Sequence, residues 1–257
     1  MVALVNNKGG VGKTTSAINL SAGLVAEGRR VLLVDLDAQG SASLSLGLIR
    51  SGLSPGTAEV ILEGLPIREA IRPSSIPGLD ILPGSMALAS ADLILSSAKG
   101  REVILQESLK PIRGNYDIII LDCPPSLGLL TINALTAADF FIVPLTPDYL
   151  ALEGLVNFMD AVEKARAGIG NIAAPLGILL TLADYRVKVT EEIGNMIRGH
   201  YGKLVFKTEI RGNVRLKEAP SFGKSIFDYD KRSAGAEAYR ELTREVLRRI
   251  KRKDVHP

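Results

Sequence analysis

Near the amino terminus, Lys8-Gly9-Gly10-Val11-Gly12-Lys13-Thr14-Thr15 brings together the residue types that phosphate chemistry needs. Glycines let a backbone curl until its N–H groups converge on phosphate oxygens. The apolar run Val2–Val5 precedes the stretch, and a helical pattern over Thr14–Glu27 follows it. A strand, a glycine-rich turn and a helix in that order form a phosphate loop, with the positive end of the helix dipole added. Lys13 is then placed to reach β- and γ-phosphates, and the Thr14 hydroxyl to ligate Mg²⁺. Two features depart from the usual G-x-x-x-x-G-K-[ST] spacing. Asn7 stands where the first glycine belongs, and a second lysine, Lys8, precedes Lys13 in the same loop.

Carboxylates follow two other apolar runs. Asp122 ends DIIILD, where it can hold Mg²⁺ directly or through water, the usual partner of a phosphate loop. The following CPPSLG contains a stiff Pro124-Pro125 turn, suited to sensing a γ-phosphate. In VDLDAQGS, Asp35 and Asp37 face the same side if the strand persists. Asp37 is then placed to orient an attacking water, with Gln39 and Gly40 continuing the loop. For each carboxylate the plain alternative is a strand-end cap or a solvated turn. Cys123 reads as a small packed residue.

The elements that must position these residues are legible as short apolar runs: Val2–Val5, Val31–Val34, Leu79–Leu82, Ile118–Leu121, Phe140–Val143 and Leu176–Leu182. They do not alternate apolar and polar, as expected of parallel strands covered on both faces. Helical patterns lie between them at Thr14–Glu27, Ser85–Lys110, Ala151–Ala167 and Val187–His200; Ile49–Pro77 reads as loop with short helices. This alternation predicts an α/β fold: a single doubly wound, mostly parallel sheet with helices on both faces, over residues 1–257 as one domain. Ligands of such sheets sit beyond the carboxyl ends of the strands, where all three motifs fall.

Composition narrows the class further. One cysteine and two histidines rule out an internal disulfide and a Cys/His zinc site within the chain. A cytoplasmic setting is expected, with no signal peptide and no uncharged apolar run long enough to span a bilayer. The net charge of +3 does not by itself call for nucleic acid.

KGGVGKTT, VDLDAQGSAS, LDCPPSLGLLTINAL, PLTPDYLALEGL, GILLTLADYR and NVRLKEAPSFGKSIFDYD together resemble the deviant Walker A ATPases of the MinD/ParA superfamily, and within it the chromosomal ParA, or Soj-like, partition proteins. The likeness runs through nearly the whole chain. It implies an ATP- and Mg²⁺-dependent ATPase that forms a sandwich homodimer. Lys8 matches the signature lysine, which reaches the phosphates held by the other subunit. A γ-phosphate flanked by a lysine from each side is a charge-stabilised site that exists only in the dimer. The resemblance assigns water activation to Asp37 and the Mg²⁺ shell to Thr14, Asp35 and Asp122. It places adenine near Arg211 and Asn213, where EIRGNVR replaces the common IPRNVR. It further implies non-specific DNA binding through Arg186 and Arg215, with Lys217 and Lys224, together with Lys188, Lys203 and Lys207, widening the basic surface. It also implies a ParB-like partner that stimulates hydrolysis, and association with the nucleoid. The chain starts just before the first strand, so the amino-terminal DNA-binding extension of larger plasmid relatives is not expected.

Some alternatives stay open. Ala234–Lys253 reads as a helix with an apolar stripe of Ala238, Leu242, Val246, Leu247 and Ile250, and with Arg244, Arg248, Arg249, Lys251, Arg252 and Lys253 crowding its end. That basic end is either solvated or a further DNA contact. A MinD-like membrane-associated positioning ATPase is a second reading, although RRIKRKDVHP lacks the bulky apolar residues of a membrane anchor, so no stable membrane association is expected. A positioner of a non-DNA cargo is a third. An iron–sulfur carrier usually needs a pair of cysteines per chain, and Cys123 stands alone.

Overall fold

The computed structural model describes residues 1–255, with side chains to Arg252; Lys253, which closes the basic run, therefore has no described side chain. Eight strands form one sheet: β1 (Val2–Leu4), β2 (Val31–Asp35), β3 (Arg72–Pro73), β4 (Leu79–Leu82), β5 (Ile118–Asp122), β6 (Phe140–Leu145), β7 (Ala174–Ala183) and β8 (Ile210–Arg211). Their spatial order is β3-β4-β2-β5-β1-β6-β7-β8. All neighbours are parallel except the edge pair β3–β4. The expected doubly wound α/β sheet is therefore present.

Its faces explain the unbroken apolar runs. Leu32 and Val34 pack into one core, whereas Val31 and Leu33 pack into the other. Ala3 and Val5 separate from Val2 and Leu4 in the same way. Side chains alternate across a strand with period two, so a sheet covered on both sides needs apolar residues at every position.

Among the described residues, twelve α-helices cover the sheet. One face carries α1 (Lys13–Ala26), α2 (Ser41–Ser45), α10 (Val214–Glu218), α11 (Ile226–Tyr229) and α12 (Ala234–Val255). The other carries α3 (Thr57–Leu62), α4 (Ile67–Ala70), α5 (Ala91–Leu95), α6 (Ile104–Leu109), α7 (Leu129–Ala137), α8 (Ala151–Ile169) and α9 (Lys188–Tyr201). No described helix is long and apolar enough to cross a membrane.

One expectation about the helices needs correction, and one helix went unread. The pattern over Ser85–Lys110 is not one helix. It breaks into a 3₁₀ turn at Met86–Ser90, then α5, then α6 after a turn through Gly100 at φ +65°. Asn133 of α7 sets the restart, accepting the Leu105 N–H at 3.0 Å and donating to the Arg101 carbonyl at 2.6 Å. Helix α7 itself left no amphipathic signal because residues 130–131 and 133–137 are all buried, and a helix covered nearly all round has no polar face to mark its period.

The α12 stripe lies against the sheet and α1. Leu242 and Val246 are fully buried, with Ala238, Leu247 and Ile250 partly so. At the α1–α12 crossing the Tyr239 hydroxyl lies 3.0 Å from that of Ser16, and a Cβ on Gly23 would run into Thr243 Oγ1. Gly23→Ala is expected to destabilise the protein by about 1–3 kcal/mol despite its better helix propensity, because the helices cannot separate without opening the core. Urea titration followed by circular dichroism measures this; unchanged stability would show that the crossing can relax.

Candidate functional site

Three strand ends meet at the carboxyl edge of the sheet. Leu4 of β1 and Asp35 of β2 both stand in register with Asp122 of β5. Beyond β1 the chain turns through residues 6–12 before entering α1. Gly10 and Gly12 take the left-handed conformation, at φ +74° and +79°, where any side chain would be strained. The turn is held from several sides. Asn6, buried, donates to the Pro144 carbonyl at 2.7 Å and accepts the Lys8 N–H at 3.0 Å. Thr181 of β7 donates to the Val11 carbonyl at 2.7 Å. Asn7, the residue standing where the glycine belongs, is exposed, and nothing in the structure explains it. The neighbouring Asn6 anchors the loop.

The two lysines have different surroundings. Lys13 is 7% exposed, and its Nζ donates to the Lys8 carbonyl at 2.9 Å. Burial lowers its pKa, opposed by the nearby Asp122. A buried ammonium of this kind is stabilised by an anion, as phosphate would supply. Lys8 instead points along the surface, where it forms an ion pair with Asp148; both side chains are near half-exposed. The other Asp148 oxygen is buried, with no hydrogen-bond partner among the described residues.

Asp122 is fully buried; no hydrogen bond of ordinary geometry reaches either carboxylate oxygen among the described residues, although the Thr14 hydroxyl lies close enough to favour its charged form. Burial first, and then the adjacent Asp35, raise its pKa well above the usual range, while the Thr14 hydroxyl and Lys13 ammonium pull the other way. Burial also lifts Asp35 to about 6, against the Ser43 hydrogen bonds that favour its charged form. Such a pair fits a divalent cation, which would supply the missing positive charge. Among the described residues no three His, Cys, Asp or Glu gather into a metal cluster. The buried Asp35–Asp122 pair is the kind of site that Mg²⁺ uses, commonly held by one or two carboxylates together with substrate phosphates.

Asp35 also organises the loop after β2. Its Oδ2 accepts from the Ser43 N–H at 3.0 Å and the Ser43 hydroxyl at 2.7 Å, and its Oδ1 from the Asp37 N–H at 3.2 Å. The strand therefore ends at Asp35, and the chain turns, so Asp37 does not continue the strand on the same side. Asp37 is half-buried and accepts the Gln39 N–H at 2.9 Å. Gly84 closes the back of this loop: a Cβ there would lie 2.6 Å from the Asp37 carbonyl and 2.8 Å from the Asp35 carboxylate.

The Pro124-Pro125 turn abuts the phosphate loop, since a Cβ on Gly9 would lie 3.9 Å from that of Pro125. Asp92 caps the following helix by accepting the Leu129 N–H at 3.0 Å. Cys123 is buried, and burial pushes its thiol pKa up, as suits a packed, unreactive residue.

The remaining candidates lie beyond β7 and β8. Arg211 stacks over the Tyr185 ring at 5.1 Å. Asn213 caps α10 by accepting the Arg215 N–H at 2.8 Å, which occupies its carbonyl oxygen. Arg186 is highly exposed and paired with Asp184 at 2.6 Å, and that pairing holds Asp184 down to about 2. Arg215 pairs with Glu218 at 2.9 Å and Asp230 at 3.6 Å. Lys217 and Lys224 are exposed. The structure thus brings Lys13, Thr14, Asp35, Asp37 and Asp122 to one edge and leaves the basic residues on an adjoining surface. Sequence reasoning missed Asn6, Ser43, Asp148 and Thr181 as supports of the site. Three of them lay inside quoted motifs, Ser43 in VDLDAQGSAS, Asp148 in PLTPDYLALEGL and Thr181 in GILLTLADYR, but their residue types alone did not mark them as supports.

The amino-terminal part of the chain, residues 1–172, matches the family model described as an AAA domain. The chain is 42% identical to the chromosome partitioning protein ParA of Myxococcus xanthus, over 97% of this chain and 88% of that one. It is equally identical to the sporulation initiation inhibitor protein Soj of Bacillus subtilis, over 96% of this chain and 97% of that one. Among solved structures, cobyrinic acid a,c-diamide synthase from Mycobacterium smegmatis, with bound ATP analogue and magnesium, superposes with a TM-score of 0.84 at 35% identity, covering 97% of this chain and 95% of that one. With the phosphate loop and paired carboxylates in place, this chain is an ATPase that uses ATP and Mg²⁺. It belongs to the ParA/Soj family of chromosome-partitioning ATPases.

Proposed function

We propose that residues 1–257 act as one ATPase domain that switches between a free chain and an ATP-bound sandwich homodimer. The dimer binds DNA without sequence preference, and a ParB-like partner stimulates hydrolysis and releases it. Repeated on the nucleoid, that cycle segregates a chromosome or plasmid. The observation that carries this reading is the division between the lysines. Lys13 is buried at the foot of the loop, while Lys8 projects along its rim, free to serve a second subunit's phosphates once Asp148 releases it.

In this reading the backbone of Gly9–Gly12 and Thr15 cradles the phosphates, with Lys13 at their β/γ end. Thr14, Asp35 and Asp122 would hold the Mg²⁺, which when bound would supply positive charge beside the phosphates, and Asp35 also fixes the loop that presents Asp37 to water. Arg211 and Asn213 border the base. Arg186, Arg215, Lys217 and Lys224 contact DNA phosphates. Arg186 and Arg215 must exchange carboxylate partners for phosphates to do so.

The test is retention on a non-specific duplex with ATP, ADP or no nucleotide across a salt series. ATP-dependent retention that falls steeply with salt is expected, and replacing Lys217 with Gln should make the slope shallower by about one. Binding to anionic liposomes with ATP, and none to DNA, would establish the MinD-like reading instead. Against that stands α12, whose apolar stripe is already covered by the sheet and α1. An ATP-dependent dimer that binds neither would point to a non-DNA cargo.

The Lys8–Asp148 pair supplies a separate prediction. Exposed ion pairs contribute about 0–1 kcal/mol. If this one holds Lys8 back, releasing it in both subunits by Asp148→Asn should tighten the ATP dimer by up to about 30-fold in sedimentation equilibrium. A weaker dimer would instead place Asp148 within the interface.

A further inference from the structure

A cavity of about 920 Å³ lies away from the phosphate loop. It opens between the end of α9, the following turn at Gly202–Leu204 and the last turns of α12. Six cations line it against one carboxylate, a larger positive excess than the net +3 of the whole chain. Two of the six are fixed parts of the wall. Arg249 donates to the carbonyls of Leu176, Leu204 and Val205 and to Glu245, and lies 4.0 Å above the Phe206 ring. Arg198 pairs with Glu209 and donates to the Phe206 carbonyl. The other four, Lys203, Lys207, Arg248 and Arg252, are exposed, and no side-chain hydrogen bond or ion pair is found for any of them among the described residues.

We infer that this cavity is a second anion site, for a compact polyphosphorylated small molecule. Four unpaired cations around one concavity repel one another, and a multiply charged anion relieves that repulsion. The volume lies within the roughly 300–1,000 Å³ of small-ligand pockets. The wall is pre-formed: Glu245 also accepts the N–H groups of Lys207 and Thr208, both at 3.0 Å. A nucleic-acid duplex carries its phosphates on a convex surface and would meet only the rim. The site is distinct from the nucleotide pocket, because strand β7 separates them. Leu176 accepts from Arg249 at the cavity, and Thr181 holds the phosphate loop five residues further on, about 17 Å away. The same strand therefore touches both sites. This inference does not depend on DNA binding or dimerisation.

The probe is inorganic tripolyphosphate, titrated calorimetrically into protein whose phosphate loop is saturated with ADP, with Mg²⁺ in excess. One equivalent should bind, with affinity falling as salt rises. Lys207→Gln combined with Arg248→Gln should weaken it about tenfold or more while leaving ADP affinity and thermal unfolding unchanged; Lys203→Gln with Arg252→Gln is the second pair should the first fail to fold. No binding with the loop filled, or equal binding by wild type and variants, overturns the proposal. So does a result in which the variants lose only duplex retention, which would make this face a nucleic-acid surface.

Discussion

Lys8→Ala should abolish ATP-dependent dimerisation while leaving the single chain folded and able to bind nucleotide. The loop does not need the Lys8 side chain for its shape. Asn6 binds the Lys8 backbone N–H, and Lys13 donates to the Lys8 carbonyl, both of which alanine retains. What is lost is one charged contact to phosphate per subunit, so two per dimer. A hydrogen bond to a charged group contributes about 1.5–3 kcal/mol, which corresponds to roughly 10²- to 10⁴-fold in the dimer equilibrium. Sedimentation velocity with a non-hydrolysable ATP analogue measures the dimer, and fluorescent nucleotide titration measures the chain. A variant that dimerises like wild type would remove the reason for treating Lys8 as the lysine that crosses, and with it the proposed switch.

Asp37→Ala has the opposite signature. Hydrolysis should fall by about 10²- to 10⁴-fold, the usual contribution of a positioned general base. ATP binding and dimerisation should persist, so the protein stays longer on DNA. The structure makes this separation reasonable. Asp37 is half-buried, and its side chain accepts one backbone N–H, from Gln39, so its loss costs the fold only about 1 kcal/mol. Asp35 is different: it ties together Asp37, Ser43 and the end of β2, and replacing it would disturb the whole loop. Single-turnover hydrolysis and dissociation from DNA distinguish the outcomes. Unchanged hydrolysis in Asp37→Ala would assign water activation to another group. Lost ATP binding would give Asp37 a role in building the pocket.

The strands were readable because each is buried on both faces, so their residues form continuous apolar runs. Helix α12 was readable for the opposite reason, since only one side is covered and a stripe survives in the sequence. Between these cases the signal failed. Helix α7 is buried almost all round and lost its period, while Ser85–Lys110 kept a helical composition but was broken by Gly100 and captured by Asn133. The strand-end aspartates were visible as motifs. Their difference was not: Asp35 is engaged by Ser43, whereas no hydrogen bond of ordinary geometry reaches the Asp122 carboxylate among the described residues. Ser43 is only eight residues from Asp35, but whether the chain turns back to bring it there depends on how the loop after β2 folds, which spacing alone does not fix.

The sequence by itself determined the phosphate loop, the parallel sheet that bears it and the family to which both belong. These depend on short-range chemistry: glycines at a turn, apolar runs, and a lysine and threonine at fixed offsets. Only the tertiary structure decided which way each lysine faces. Pro144 and Thr181, brought beside the loop by β6 and β7, hold it so that Lys13 turns inward and Lys8 lies along the rim with Asp148. It also decided that Arg198, Lys203, Lys207, Arg248 and Arg252, scattered over two helices and a connecting turn, surround one cavity. Charge is additive along a sequence, but the field it makes depends on distances that only folding sets.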